Sequence, residues 1–301
     1  MKVLFIGDII GEPGRKMVRA QLRGLRDAHR PDLVIANGEN SAGGFGITSE
    51  IADELFFLGI DVLTSGNHVW DKKEIEPYLA KQDRLIRPAN YPEGNPGYGS
   101  VIISTENAGK AAVLNLEGRV FMSNLSDPFR VAEQEIEKLK KETPVVIIDF
   151  HAEATSEKIA LAWHLDGKAS AVIGTHTHVQ TADERILPGG TAFMTDAGMT
   201  GPTDSVIGVK KEQAIARFLT QTPHRFEIPK GPVHLCAVVI DIDGKTGKAN
   251  SIERIHIKSE SSWVRGHGSR IKYVSHFISY SAYLPDKKPP RRSVSRGLGR
   301  R

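Results

Sequence analysis

The chain has 301 residues, of which 40% are hydrophobic, 25% charged and 7% aromatic, the composition of an ordinary folded protein and not of a disordered segment or a coiled coil. A chain of this length can bury most of its unfolded surface in one large domain or two without disulfide staples. The formal charge of +4 is unevenly spread: ten of the 40 Lys/Arg but only two of the 36 Asp/Glu lie from Ser259 onward, leaving residues 1–258 slightly acidic and the end strongly basic.

In chain order, short β-branched apolar runs alternate with longer helical patterns, the arrangement that gives sheets covered by helices. Strands are expected at Val3–Ile6, Leu33–Ala36, Val62–Ser65, Val101–Ser104, Ala111–Leu116, Val145–Phe150, Ala171–Gly174, Thr191–Thr195 and Leu235–Asp241. The intervening periodicity predicts helices at Gly14–Ala28 behind Pro13, Thr48–Leu58, Lys72–Lys81, Pro128–Lys141, Glu157–Leu165 and Lys211–Gln221. Cys236, within the apolar run from His234 to Ile240, reads as a packed core thiol in a reducing compartment. The apolar start Met1–Gly7 is broken by Asp8 and Glu12 before it reaches the length of a signal-peptide core, and no run reaches the roughly 18 apolar residues of a membrane span. A cytoplasmic protein with no membrane contact is expected. The basic end, 259–301, has the composition of a solvated, disordered tail, with a weak nucleic-acid contact as its functional alternative.

The chemistry sits where the predicted strands end. Asp8, the pair Glu39 and Asn40, the pair Asn67 and His68, His151, and His176 with His178 each stand at the carboxyl end of a different strand. In open α/β sheets those ends form the ligand crevice, so the repetition gathers one polar cluster from distant sequence. Glycine precedes the polar residue in four of the five cases, as Gly7, Gly38, Gly66 and Gly174, which permits sharp turns or close approach to an ion. His176 and His178, two apart at the end of an extended strand, are expected to project to one side. Taken singly, each residue is as well explained as a helix cap or a satisfied core group; taken together, the set is hard to obtain that way. The Gly43–Gly46 stretch has no Walker spacing and reads as a loop at the mouth of the site, and the Met194–Ser205 stretch as a substrate loop without chemistry of its own.

The stretches Gly7–Gly14, Ala36–Gly44, Thr64–Asp71, Asp149–Ser156 and Gly174–Gln180 closely resemble the calcineurin-like metallophosphoesterase superfamily, and within it the YmdB-like branch of bacterial cyclic-nucleotide phosphodiesterases. The resemblance spans residues 1 to about 258. Two departures from the wider superfamily, Ile10 where a histidine would follow Asp8 and Gly38-Glu39-Asn40 where Gly-Asp is usual, are features of that branch. The resemblance implies an α/β metallophosphoesterase fold, two packed mixed β-sheets flanked by helices in a four-layer α/β/β/α sandwich. It implies two first-row metal ions, Fe or Mn, with Asp8, Asn40 and His178 on one, Asn67, His151 and His176 on the other, and Glu39 bridging. Mixed carboxylate, amide and imidazole donors suit such ions. The implied chemistry is in-line attack on phosphorus by a hydroxide shared between the ions, whose summed charge with Asp8 and Glu39 stays positive and attracts a phosphate ester. His68 is then free to act as general acid on the leaving alkoxide, or alternatively to orient a ligand or the bound phosphate. The implied substrates are 2′,3′- or 3′,5′-cyclic nucleotides, and the implied assembly is a homo-oligomer, dimer or tetramer. A phosphomonoesterase or nucleotidase on the same metals, and a regulatory binding protein acting through its basic tail, are the competing expectations. The first would need cations such as Arg15 or Lys158 placed for a terminal phosphate.

Overall fold

The computed structural model describes residues 1–259; residues 260–301, and with them nearly all of the predicted tail, lie outside the described residues. Two mixed sheets face each other. The first is built on β1 (Lys2–Ile6), which pairs in parallel with β3 (Leu33–Asn37), itself parallel to β4 (Val62–Thr64). On its other side β1 runs antiparallel to β12 (Val233–Ile242), which also carries β13 (Ala249–Lys258) and β11 (Met199–Pro202), the latter parallel to β2 (Asp8–Ile9). The second sheet runs β5 (Ser100–Thr105), β6 (Gly109–Glu117), β7 (Val146–His151), β8 (Ala171–Thr175), β10 (Ala192–Met194), β9 (Arg185–Ile186), with β6, β7, β8 and β10 mutually parallel.

The period-two alternation of the strands sorts their side chains into layers. Val3 and Phe5 of β1 and Ile35 of β3 pack across the sandwich against Val113, Ile147 and Ile173 of the second sheet. Leu4 and Ile6, one residue out of phase, face the other way, onto Met17, Val18 and Leu22 of helix α1 (Gly11–His29) and Leu55 of α2 (Ser49–Phe57). On the far side, Ile148 and Phe150 pack on Ile136 of α4 (Pro128–Leu139) and Leu161 of α5 (Thr155–His164). The result is helix, sheet, sheet, helix, the layering that the resemblance implies.

Helix ends follow local chemistry. Asp127 caps α4 through backbone N–H groups of Phe129 and Arg130 with Pro128 at the first helical position, and the Thr48 hydroxyl accepts from Ile51 at the start of α2. The helix predicted over Lys72–Lys81 is interrupted: a 3₁₀ turn at Lys73–Ile75 gives way to one turn of α3 (Glu76–Leu79), because Pro77 has no N–H to continue the ladder. Among the described residues the last helix, α6, runs Lys211–Thr220. None of these helices is long and apolar enough to cross a membrane. Four strands are absent from those predicted: β2, β9 and β11, of two to four residues each, and the ten-residue β13, whose charges and three-residue step from Ile252 to Ile255 spoil the alternation. β13 is held by pairing along the whole of β12.

Candidate metal centre

The predicted metal ligands come together at the carboxyl ends of β1, β3, β4, β7 and β8, with the His68 ring beside them. Glu39 lies at the centre and is fully buried. Its Oε1 is 3.0 Å from His151 Nε2 and accepts from Asn40 Nδ2 at 3.1 Å, while Oε2 accepts the backbone N–H of His68 at 3.0 Å. On one side of it, Asn40 Nδ2 is 3.3 Å from His178 Nε2, which in turn is 3.7 Å from Asp8 Oδ1. On the other, His151 Nε2 is 2.9 Å from Asn67 Oδ1 and 3.0 Å from His176 Nδ1. The two groups of three that the resemblance implies are thus two clusters in space, with the Glu39 carboxylate touching both.

The residues fit metal ions for a reason visible in the contacts. Three ligand-type atoms, from Glu39, Asn67 and His176, crowd the single Nε2 of His151, whose ring can offer at most one proton there. Asp8 Oδ1 is buried without a hydrogen-bond partner. A cation in each cluster satisfies both deficits, and Glu39, His151 and His176 already place ligand atoms within 4.8 Å of one another.

Charge follows the same geometry. Burial alone would push the Glu39 carboxyl up, but the adjacent His151 ring reverses this and holds it at about 2. For His151, burial opposes protonation and Glu39 overrides it, so its pKa is raised. His176, buried beside that charge, is pushed down to about 3. Asp8 is raised by burial, against the pull of His178 and His151.

Neighbouring groups fix these side chains. His151 Nδ1 donates to Thr175 Oγ1 at 3.0 Å, and the Thr175 hydroxyl donates to Asp149 Oδ1 at 2.6 Å. This relay turns His151 Nε2 toward the cluster, where its lone pair is available to a cation. Asp149 also accepts from Asn37 Nδ2 at 3.1 Å and from the Thr64 hydroxyl, and its burial pushes its pKa up to about 7. Close approach explains two of the glycines: a Cβ on Gly66 would lie 2.2 Å from the His151 ring, and one on Gly7 would lie 1.9 Å from the Gly198 carbonyl oxygen.

Strand alternation is not what brings His176 and His178 together. β8 ends at Thr175, and both histidines adopt left-handed backbone, with φ of 97° and 66°. Asp196 clamps this turn, its Oδ2 accepting from Thr177 N at 3.1 Å, Thr177 Oγ1 at 2.7 Å and Lys158 Nζ at 2.7 Å. His178 Nδ1 bonds the Ile207 carbonyl at 2.8 Å. Asp196 lies in the Met194–Ser205 stretch, which the sequence presents as chemically silent. It stands just past the end of β10, the same position relative to a parallel strand that marks the ligands, and that signal could have found it. Lys158 is on α5 and fully buried; Arg15 is on α1, bonded to Glu54 and the Ser41 carbonyl.

His68 makes no side-chain hydrogen bond to either cluster. Its ring Nδ1 is 2.9 Å from Asp71 Oδ2, its edge meets the Phe45 ring at 5.0 Å between centroids, and about a quarter of the side chain reaches the surface.

The family model for YmdB-like proteins matches residues 4–255. The chain belongs to the YmdB-like family. Among its relatives, the 2′,3′-cyclic-nucleotide 2′-phosphodiesterase of Bacillus subtilis (strain 168) is 52% identical over 260 residues, which are 86% of this chain and 98% of that protein. A crystal structure of a phosphatase from Mycoplasma pneumoniae superposes with a TM-score of 0.82 at 36% identity, covering 87% of this chain and 95% of that one. The crystal structure of a hypothetical protein from Thermus thermophilus gives 0.81 at 42% identity, over 86% and 100%. The YmdB-like chain therefore has the metallophosphoesterase-type fold.

Proposed function

We propose that the chain is a metal-dependent phosphodiesterase that hydrolyses 2′,3′-cyclic nucleotides at a dinuclear centre, with Asp8, Asn40 and His178 on one ion, Asn67, His151 and His176 on the other, Glu39 between them and His68 as general acid. The observation that carries this is the position of Glu39, one carboxylate in contact with two separate ligand clusters. The activity for which the 52% identical relative is named supports the substrate class. The oxygen- and nitrogen-rich donor set favours iron or manganese.

When bound, the ions supply Lewis-acid polarisation of the phosphoryl group and make water more acidic. The chain's own residues do the rest. Glu39 supplies the buried carboxylate that contacts both clusters, through His151 and Asn40. The Asp149–Thr175 relay keeps His151 aimed. Asp71 engages His68 Nδ1, which leaves Nε2 without a protein hydrogen bond among the described residues to give a proton to the departing oxygen. In a 2′,3′-cyclic monophosphate, water oxygen bonds to phosphorus as it gives up one proton to solvent, the bond from phosphorus to the 2′ oxygen breaks, and that oxygen takes the His68 proton, which solvent then restores. The product is the 3′-monophosphate. A monoesterase would need a free cation for a second phosphate charge, and Lys158 and Arg15 are both held by protein partners.

The test is turnover of the metal-loaded protein on 2′,3′-cAMP, 3′,5′-cAMP, 5′-AMP and bis-p-nitrophenyl phosphate, with products resolved chromatographically. The expected result is 3′-AMP from 2′,3′-cAMP and little release from 5′-AMP. Faster hydrolysis of the monoester than of either cyclic nucleotide would overturn the proposal.

A further inference from the structure

We propose that His234, Cys236 and His256 form a second metal site, for one Zn²⁺-like ion, on the ribbon of β12 and β13 and sharing no residue with the dinuclear centre. His234 and Cys236 are two apart on β12, hence on one face, and His256 is the cross-strand partner of Cys236. The opposite face of the ribbon is occupied: Leu235, Ala237, Ile255 and Ile257 belong to the core beneath the helices. The three candidate ligand atoms lie within 4.8 Å of one another, and His234 Nδ1 is 3.0 Å from His256 Nε2, with the rings 5.1 Å apart edge to face.

The His–His contact alone does not satisfy the cluster. His234 Nε2 is buried and has no hydrogen-bond partner among the described residues, and the 3.0 Å approach of His234 Nδ1 to His256 Nε2 needs either a proton on one of the two nitrogens or an ion between the rings. Both imidazoles are ready to bind: burial, the proximity of His256 and Lys258 push His234 down to about 4, and burial with Lys258 and Arg254 lowers His256. Cys236, pushed by burial to about 12, holds its proton until an ion replaces it, so the sulfur–metal bond forms as one proton leaves to solvent. The nearby positive charges are offset: Arg254 pairs with Glu184 at 3.4 Å, and the Asp196 carboxylate opposes them at the sulfur. One thiolate and two imidazoles are the ligand class of zinc, with the fourth position open to water, whereas the thiolate-free dinuclear centre suits harder ions. The site is tied to that centre through the backbone. The Cys236 carbonyl accepts the N–H of Gly7, next to Asp8, at 3.0 Å, and Gln180, two residues past His178, bonds the carbonyls of Ala237 and Ile255.

Because Cys236 is the only cysteine in the chain, a thiolate-to-cobalt charge-transfer band in the near ultraviolet can arise from nowhere else. Full-length protein with its dinuclear centre already filled is titrated with Co²⁺. The expected result is one further equivalent bound, growth of that band, and its displacement by Zn²⁺. Cys236→Ser should lose the band and the equivalent while keeping its cooperative melt, and His256→Ala should weaken binding by about tenfold or more. Saturating Co²⁺ without a thiolate band in the wild-type protein would overturn the proposal, as would a band of undiminished affinity in both His234→Ala and His256→Ala.

Discussion

On the proposed mechanism, His68 is the residue on which metal binding and chemistry separate. Its backbone N–H holds Glu39, while its ring bonds Asp71, meets Phe45 and makes no hydrogen bond to the candidate ligands. Replacing the ring by a methyl group therefore leaves the backbone contact and both ligand sets intact. We expect His68→Ala to keep its metal content and its KM while kcat on a cyclic nucleotide, whose sugar alkoxide leaves poorly, falls by about 10²–10⁴-fold. On an aryl diester the phenolate departs without a proton, so the loss should shrink. The ratio of wild-type to variant rate, plotted against leaving-group pKa, should rise. A flat plot would assign the ring to orienting phosphate, and loss of a metal equivalent would make it a ligand.

Among the elements, the turn after β8 marks the boundary between what is legible in the sequence and what is not. Ligand types at the ends of β1, β3, β4, β7 and β8 can be read directly, because five short apolar runs that each end in Asp, Glu, Asn or His are hard to produce from helix caps and core groups alone. The conformation of the His176–His178 turn cannot: two non-glycine residues with positive φ each cost about 1–3 kcal/mol and persist only where long-range contacts hold them. Those contacts come from Asp196 and Lys158, 38 positions apart in sequence, and no local pattern announces a buried ion pair. β13 is illegible for a similar reason, since its place is set by β12. The clamp makes a prediction. Lys158 and Asp196 are both fully buried and 2.7 Å apart, so Lys158→Met leaves an uncompensated buried carboxylate and should destabilise the protein by about 3–5 kcal/mol. Metal content should fall with it, because the histidine turn loses its anchor. Lys158→Met combined with Asp196→Asn should recover part of the stability in a denaturant melt but not the metal affinity. A single variant with unchanged stability and full metal content would show that the turn is held by other contacts.

For the molecule as a whole, chemistry and charge are separated along the chain. The candidate ligands, the Asp149–Thr175 relay and the three apolar cores lie within residues 1–259, and the family model ends at residue 255. The match to the Bacillus relative takes in 98% of that protein with 260 of the 301 residues of this chain. The basic end lies beyond the family model. An excess of Lys/Arg there follows a slightly acidic stretch of sequence, and contacts of lysine and arginine with phosphates release counterions, giving an affinity that falls steeply with salt. Removing residues 260–301 should accordingly leave kcat and KM on 2′,3′-cAMP unchanged and the thermal transition cooperative. Retention on a single-stranded RNA, measured by filter binding at about 50 and 200 mM salt, should drop together with its salt dependence. Equal RNA affinity and equal salt slope in the two proteins would place the polyanion contact on the body, and a shortened protein without a cooperative transition would make the basic end part of the fold. The expected outcome leaves hydrolysis of a small cyclic substrate and attraction to a long polyanion as independent properties, each removable without the other.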